Sequence, residues 1–300
     1  MLKTIIIVLL LLLIVAAVIG FYSAKTTLSI PRQTLDGARR WQEDHYDISW
    51  YDELEKTDYT VSSYDGYLVH VQFLHNDLPA DQYVIISHGY TDNRFGALKY
   101  AKMYLDLGFH VIIYDLRGHG LNEETFCTYS VREARDLLTL IEDTRSRYEG
   151  IKTLGIHGES LGAATSVACL KYHPQIAFVV ADCGFSDIFG VLENGLKASR
   201  MPAGILKLTS VCAKIRYGFS LAEMRPIDSL KGNEIPVLFI HGANDSFILP
   251  DNSERMQAET SGYSELHLIP DAGHAESALK DPETYAAVLR EFLQRIKDNL

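Results

Sequence analysis

Six short apolar runs recur along the chain, at 83–87, 110–114, 153–157, 177–181, 236–240 and 265–269. Between or after most of them lie stretches of helical character, at 95–107, 131–148, 161–172, 251–260 and 282–298. This alternation constrains the fold more than any other feature. A strand that is apolar throughout needs cover on both faces, and strands joined through helices return parallel by right-handed crossovers. The pattern predicts an α/β domain with a mostly parallel sheet between two helical layers. Ahead of it, "YTVSSYDGYLVHVQFLH" places two alternating segments around Asp65-Gly66, the pattern of a β-hairpin. The interval 184–235 separates two strands by far more than a usual crossover and holds two helical pieces, 185–199 and 205–217. Its apolar content argues for order, and an insertion of this size over the carboxyl ends of the strands would make a helical cap.

The amino terminus is of another kind. "MLKTIIIVLLLLLIVAAVIGFY" has Lys3 and then an uncharged apolar run from Ile5 to Tyr22, at the lower limit of what spans a bilayer as a helix. A cleaved signal peptide needs a shorter apolar centre and a small-x-small site, for which Val15-Ala16-Ala17 and Tyr22-Ser23-Ala24 are weak matches. Residues 1–24 are therefore read as an uncleaved membrane anchor, with a signal peptide as the alternative. Lys25, Arg32, Arg39 and Arg40 follow the run, so the charge balance does not favour an outside domain, and the side on which the domain sits stays open. Residues 25–56 are polar and mixed, a linker or stalk, or a helix against the domain edge. Residues 57–300 suit one α/β domain.

The 300 residues carry 28 Lys and Arg against 39 Asp and Glu, a net charge of −11 with no basic run, which excludes nucleic acid as the expected partner. Four cysteines, Cys127, Cys169, Cys183 and Cys212, have neither metal nor redox spacing and read as small buried residues.

Within "IHGESLGAAT", Gly-x-Ser-x-Gly is weak evidence alone, but Ser160 lies between an apolar strand and a small-residue helix. A tight strand-to-helix turn there thrusts the serine oxygen out above the sheet, and Gly158 and Gly162 remove the side chains that would obstruct it. The bland alternative is a serine N-cap with packing glycines. A serine hydroxyl becomes a nucleophile when a base takes its proton, and that base needs an orienting carboxylate. Both are expected beyond later strands in the order serine, acid, histidine. Asp245 in "HGANDSF" and His274 in "PDAGHAES" meet that order, with Asp182 as the rival acid. Asp271 is expected to shape the turn before His274. The oxyanion needs two backbone donors: Leu161, next after the serine, and Tyr90 in "SHGYTDN". His88, Arg117 and His119 are expected to hold loops and His157 to pack in the core, while Glu159 is open to either a substrate contact or an ordinary interaction.

Together "SHGYTDN", "YDLRGHG", "HGESLGA", "HGANDSF" and "DAGHAES" resemble the α/β-hydrolase superfamily over residues 57–300. More narrowly the chain is similar to bacterial membrane-associated hydrolases of the prolyl oligopeptidase-like and serine aminopeptidase-like branch, which "RYGFSLAEMRPIDSLK" also resembles. The resemblance implies Ser160 as nucleophile, Asp245 as acid, His274 as base, Tyr90 and Leu161 as oxyanion donors, and no cofactor. The chain departs from many relatives at Leu121-Asn122, where a serine is usual. The expectation is a serine hydrolase acting on a small-molecule carboxylic ester, and bound to the lipid bilayer through its N-terminal helix. The alternatives are a peptidase, amidase or thioesterase, and a non-catalytic binding protein of the same fold.

Overall fold

The computed structural model describes residues 1–76 and 81–299. In chain order, the helices and strands begin with α1 (Leu2–Leu28), α2 (Leu35–His45), α3 (Trp50–Glu53), β1 (Lys56–Ser62), β2 (Leu68–Leu74) and β3 (Gln82–Ser87). Next come α4 (Leu98–Asp106), β4 (Phe109–Tyr114), α5 (Glu133–Arg147), β5 (Thr153–Glu159), α6 (Leu161–Cys169) and β6 (Phe178–Asp182). The chain continues with α7 (Ile188–Ala198), α8 (Gly204–Tyr217), β7 (Val237–Gly242), α9 (Asp251–Glu259), β8 (Ser264–Ile269), α10 (Ser277–Lys280) and α11 (Pro282–Asn299). Two compact units result: Met1–Ser29 with Asp187–Met224, and Ile30–Ser186 with Arg225–Leu300.

In the larger unit the sheet order is β1-β2-β4-β3-β5-β6-β7-β8. Every neighbouring pair from β4 to β8 is parallel, and the β1–β2 hairpin joins antiparallel through β2. Ser63 N–H donates to Tyr67 O at 2.8 Å across the hairpin turn, where Gly66 takes φ +82°. Val84, Ile86, Val111, Ile113, Phe178, Val180, Leu238 and Ile240 form one face with Tyr100 and Tyr104 of α4 and Tyr285, Leu289 and Phe292 of α11. The alternate residues Ile85, Ile112, Ile156, Val179 and Phe239 point to the other face and are equally buried. There α6 packs on β5 and β6, with all nine of its residues buried. Each such aliphatic or aromatic side chain contributes about 1.5–3 kcal/mol on burial. On the face covered by α4 and α11, Gly155 breaks the row of side chains because the Phe178 ring fills its place, 2.0 Å from where a Cβ would lie. The four cysteines are free thiols and buried.

Several boundaries differ from expectation for local reasons. Helix α5 begins at Glu133 and not at 131, because Tyr129 and Ser130 hold positive φ and the Glu133 carboxylate reaches back to accept from the Thr128 and Ser130 amides. Helix α7 begins at Ile188 and not at 185, where the Asp187 side chain caps it by accepting from Gly190 N–H at 2.7 Å. In the stretch expected as a stalk or an edge helix, residues 35–45 and 50–53 form α2 and α3, and Ile48 between them and Tyr51 of α3 join the core. The insertion expected at 184–235 is narrower. Ile227 N–H donates to Ser186 O at 3.1 Å, and Ser186 bonds Asn252, so the flanks 184–186 and 225–235 belong to the larger unit.

The smaller unit joins α1 to α7 and α8. Helix α1 runs to Leu28, four residues beyond the expected end of the anchor. Its buried residues, Gly20, Ala24 and Leu28, recur at every fourth position. A Cβ on Gly20 would lie 2.5 Å from Cys212 Sγ and 2.8 Å from Leu208 Cγ of α8, and Ser23 Oγ lies 2.7 Å from Thr209 Oγ1. From Ile5 to Val15, by contrast, every side chain is exposed. The helix is long and apolar enough to cross a membrane.

Candidate active site

Strand β5 ends at Glu159 and α6 begins at Leu161, leaving Ser160 alone to make the turn. It does so at φ 52°, ψ −112°, a conformation that a β-carbon disfavours. Its N–H donates to Asp182 O at 2.8 Å and its carbonyl accepts from Ala164 N–H at 3.0 Å, so the strain is held from both sides. Both flanking glycines are required sterically. A Cβ on Gly158 would stand 2.1 Å from Gly162 O, and one on Gly162 would stand 2.1 Å from Ser87 O.

Asp245 follows β7 and His274 follows β8. Gly242 lets these two loops meet, since a Cβ there would lie 2.4 Å from Gly273 O, and Asn244 N–H donates to Ala272 O at 2.9 Å. The expected residues then come together in one row. Ser160 Oγ lies 2.9 Å from His274 Nε2, and His274 Nδ1 lies 2.7 Å from Asp245 Oδ2. A carboxylate at Nδ1 fixes the proton on that nitrogen and leaves the Nε2 lone pair facing the serine hydroxyl. Asp271 takes φ 58° in the turn before the histidine.

The Asp245 carboxylate is buried and over-determined. Oδ1 accepts from the Phe247 and Ile248 amides, each at 2.9 Å. Oδ2 faces His274 and also His241 Nε2 at 3.2 Å. Burial raises its pKa, but bonds from His241 and His274, the His274 charge and the Phe247 amide outweigh it and hold the carboxyl well below the usual range. His241 was not anticipated from sequence. Its Nε2 lies 2.8 Å from Ile248 O, an acceptor only, so this nitrogen carries the proton and Nδ1 accepts from Ser253 Oγ at 2.7 Å. The available signal was a histidine directly before Gly242 at the end of an otherwise apolar strand.

The rival acid, Asp182, lies elsewhere. Its Oδ2 lies 2.9 Å from Tyr100 OH, and burial, with the Glu159 charge, pushes its pKa up to about 6. Glu159 forms a buried ion pair with Lys99 and accepts from Tyr100 OH at 2.6 Å, so it is committed to the core. His157 sits between Tyr104 and Tyr285, within 3.1 and 3.2 Å of their hydroxyls, and burial drops its pKa to about 3. His88 accepts the Leu116 amide at 2.9 Å and donates to Gly89 O, while Arg117 binds both Asp136 and Asp65. These residues hold loops.

Leu161 opens α6, so its amide is among those with no acceptor inside the helix. Gly89 brings the loop after β3 alongside the serine, a Cβ there lying 3.7 Å from Ser160 Cβ, and Tyr90 is the next residue. The Tyr90 ring lies 5.7 Å from that of Tyr129, and burial pushes its phenol up to about 12. Phe247, exposed, sets its ring edge-on to His274 at 5.1 Å.

A serine on a strained turn, a histidine and a carboxylate at the carboxyl ends of a mostly parallel sheet define a class of protein, the α/β-hydrolases. Residues 79–188 match the family described as "Serine aminopeptidase, S33". The chain is 31% identical to the "Uncharacterized protein YqkD" of Bacillus subtilis (strain 168), over 99% of each chain. It belongs to the family of that protein within the α/β-hydrolase superfamily. Among solved structures it is similar to the Pyrococcus furiosus esterase Pf2001, at TM-score 0.69 and 21% identity, covering 89% of this chain and 98% of that one. It is also similar to acetyl xylan esterase 1 from Thermoanaerobacterium sp. JW/SL YS485, at TM-score 0.61 and 16% identity, covering 90% and 96%. At these identities the likeness is one of fold.

Proposed function

We propose that the protein is a serine hydrolase that cleaves carboxylic esters through an acyl-enzyme, with Ser160 as nucleophile, His274 as base and Asp245 as acid. The carrying observation is the row Ser160–His274–Asp245, with 2.9 and 2.7 Å separations. His274 Nε2 takes the hydroxyl proton as Ser160 Oγ bonds to the substrate carbonyl carbon. The carbonyl electrons move onto oxygen, which the Leu161 and Tyr90 amides receive, each such donor being worth about 10²–10³ in rate. The tetrahedral adduct collapses, the alkoxide leaves with the proton from His274, and water repeats the sequence to release the acid. Asp245 keeps the imidazole oriented and offsets its charge.

Two proteins of similar structure, the Pyrococcus furiosus esterase Pf2001 and acetyl xylan esterase 1, are esterases, which favours esters. The match to serine aminopeptidases favours a second reading, hydrolysis of aminoacyl amides. An aminopeptidase needs a carboxylate for the substrate amine, and Glu159, the nearest in sequence to Ser160, is consumed by Lys99 and Tyr100. We read α1 as a membrane anchor on its length, its composition and its exposed apolar side chains from Ile5 to Val15. The test is a panel of p-nitrophenyl esters of graded acyl length beside aminoacyl p-nitroanilides, with Ser160→Ala as the blank. Serine-dependent turnover of esters supports the proposal. Turnover of anilides alone replaces it with the peptidase reading, and turnover of neither leaves a binding protein.

A further inference from the structure

In the smaller unit α8 presents a solvent face that a water-soluble surface does not explain. Lys207, Val211, Lys214 and Ile215 lie on one side of the helix, by their spacing of three and four residues. Val211 is 57% exposed and Ile215 69%, while Leu206, Thr209, Ser210, Cys212 and Ala213 occupy the buried side. Leu208 and Cys212, flanking Val211 on the helix, pack on Gly20, which lies inside the apolar run of α1. If that run spans a bilayer, its last apolar turn fixes the middle of α8 at the bilayer boundary.

Charge points the same way. The residues of this unit carry seven Lys and Arg against three Asp and Glu, a net +4, whereas the remainder of the chain carries 21 against 36, a net −15. The three acids are engaged within the unit. Asp187 caps α7, Glu193 pairs with Lys197 at 3.0 Å, and Glu223 pairs with Lys214 at 2.8 Å. Lys25, Arg200, Lys207 and Arg216 lie exposed around them. A basic helix with apolar residues on its outer face lies in the headgroup region of a membrane.

We propose that the outer face of α8 rests on an anionic lipid surface, Val211 and Ile215 entering the headgroup layer beside α1 and the surrounding Lys and Arg meeting lipid phosphates. The proposal depends on α1 being a membrane span, and its occupant is the bilayer that receives α1. Each basic residue near such a surface favours contact about fivefold.

The full chain is placed in nanodiscs of phosphatidylcholine and phosphatidylglycerol with brominated or ordinary acyl chains. Three variants, Val211→Trp, Ile215→Trp and Ile14→Trp, are compared with the parent, which has two tryptophans, Trp41 and Trp50. The expected result is loss of the added emission at 211 and 215 in brominated discs, weaker when phosphatidylglycerol is omitted, with Ile14→Trp quenched in both. Quenching at 14 without quenching at 211 and 215 leaves the anchor standing and overturns the α8 contact. No quenching at 14 overturns the anchor and the contact with it. Emission at 211 that follows protein density and ignores bromine assigns the face to a second copy of the chain and also overturns the proposal.

Discussion

His241 Nε2 and His274 Nδ1 meet the same oxygen, Asp245 Oδ2, at 3.2 and 2.7 Å. The Asp245 carboxylate is therefore held by a histidine of the preceding strand as well as by the imidazole proposed as base. His241 is a positioning residue by this geometry, and it touches no reacting atom. Replacing it with Gln removes a bond from a buried carboxylate, a loss of about 1–3 kcal/mol where a charged acceptor is left short of donors. The expected outcome is a fall of about tenfold in kcat on a p-nitrophenyl ester with KM unchanged, in protein that circular dichroism shows to be fully folded at the assay temperature.

The choice between the two candidate acids is kinetic. Asp245→Asn is expected to lower kcat by about 10³–10⁴, as removal of a tautomer-fixing carboxylate does. Asp182→Asn leaves the Ser160–His274–Asp245 row in place and is expected to cost less than about tenfold in kcat. Steady-state rates on one ester separate them, and an equal loss in both would place Asp182 in the reaction.

Asp182 has instead a signature in stability. Its folded-state pKa of about 6 lies above the ordinary carboxyl value, so between those pH values the folded state holds a proton that the unfolded state has lost. Its contribution is fully favourable below about pH 4 and diminishes as pH rises to about 6. Asp182→Asn is then expected to gain stability relative to the parent across that window, on the order of 3 kcal/mol, with no further change above it. Denaturant midpoints at pH 4, 5, 6 and 7 measure the gap.

The glycines divide by what surrounds them. Gly162→Ala forces a methyl to within 2.1 Å of Ser87 O, a backbone atom, and is expected to destabilise by about 2–3 kcal/mol or more. Gly195, inside α7, has nothing within 4 Å of an added Cβ, and Gly195→Ala is expected to stabilise by about 0.5–1 kcal/mol. Thermal unfolding of the two variants checks the sign of each.

What the sequence revealed follows from which interactions leave a local mark. Apolar runs flanked by helical periodicity report burial on both faces, so the strands of the parallel sheet were each anticipated, with ends shifted by up to two residues. Strand β5 ran two residues further than expected, to Glu159, because pairing with β6 continues to Asp182. The hairpin was legible because Asp65-Gly66 must take a turn. The row of Ser160, His274 and Asp245 could be anticipated because each follows its own strand end. The Lys99–Glu159–Tyr100–Asp182 cluster could not, because its members lie up to 83 residues apart and no periodicity links them. The pairing of α1 with α8 was missed for the same reason. It rests on Gly20 and Ser23, which within an apolar run look like ordinary membrane residues.

The proposed function stands or falls on Ser160 being the activated nucleophile. The direct measurement is reaction of the purified full chain with a fluorophosphonate, followed by peptide mass spectrometry. The expected result is a single phosphonyl adduct on the peptide containing Ser160, absent in Ser160→Ala and formed at least about 10³-fold more slowly in His274→Ala. An unmodified Ser160 in folded protein, or an adduct on another residue that persists in Ser160→Ala, would contradict it.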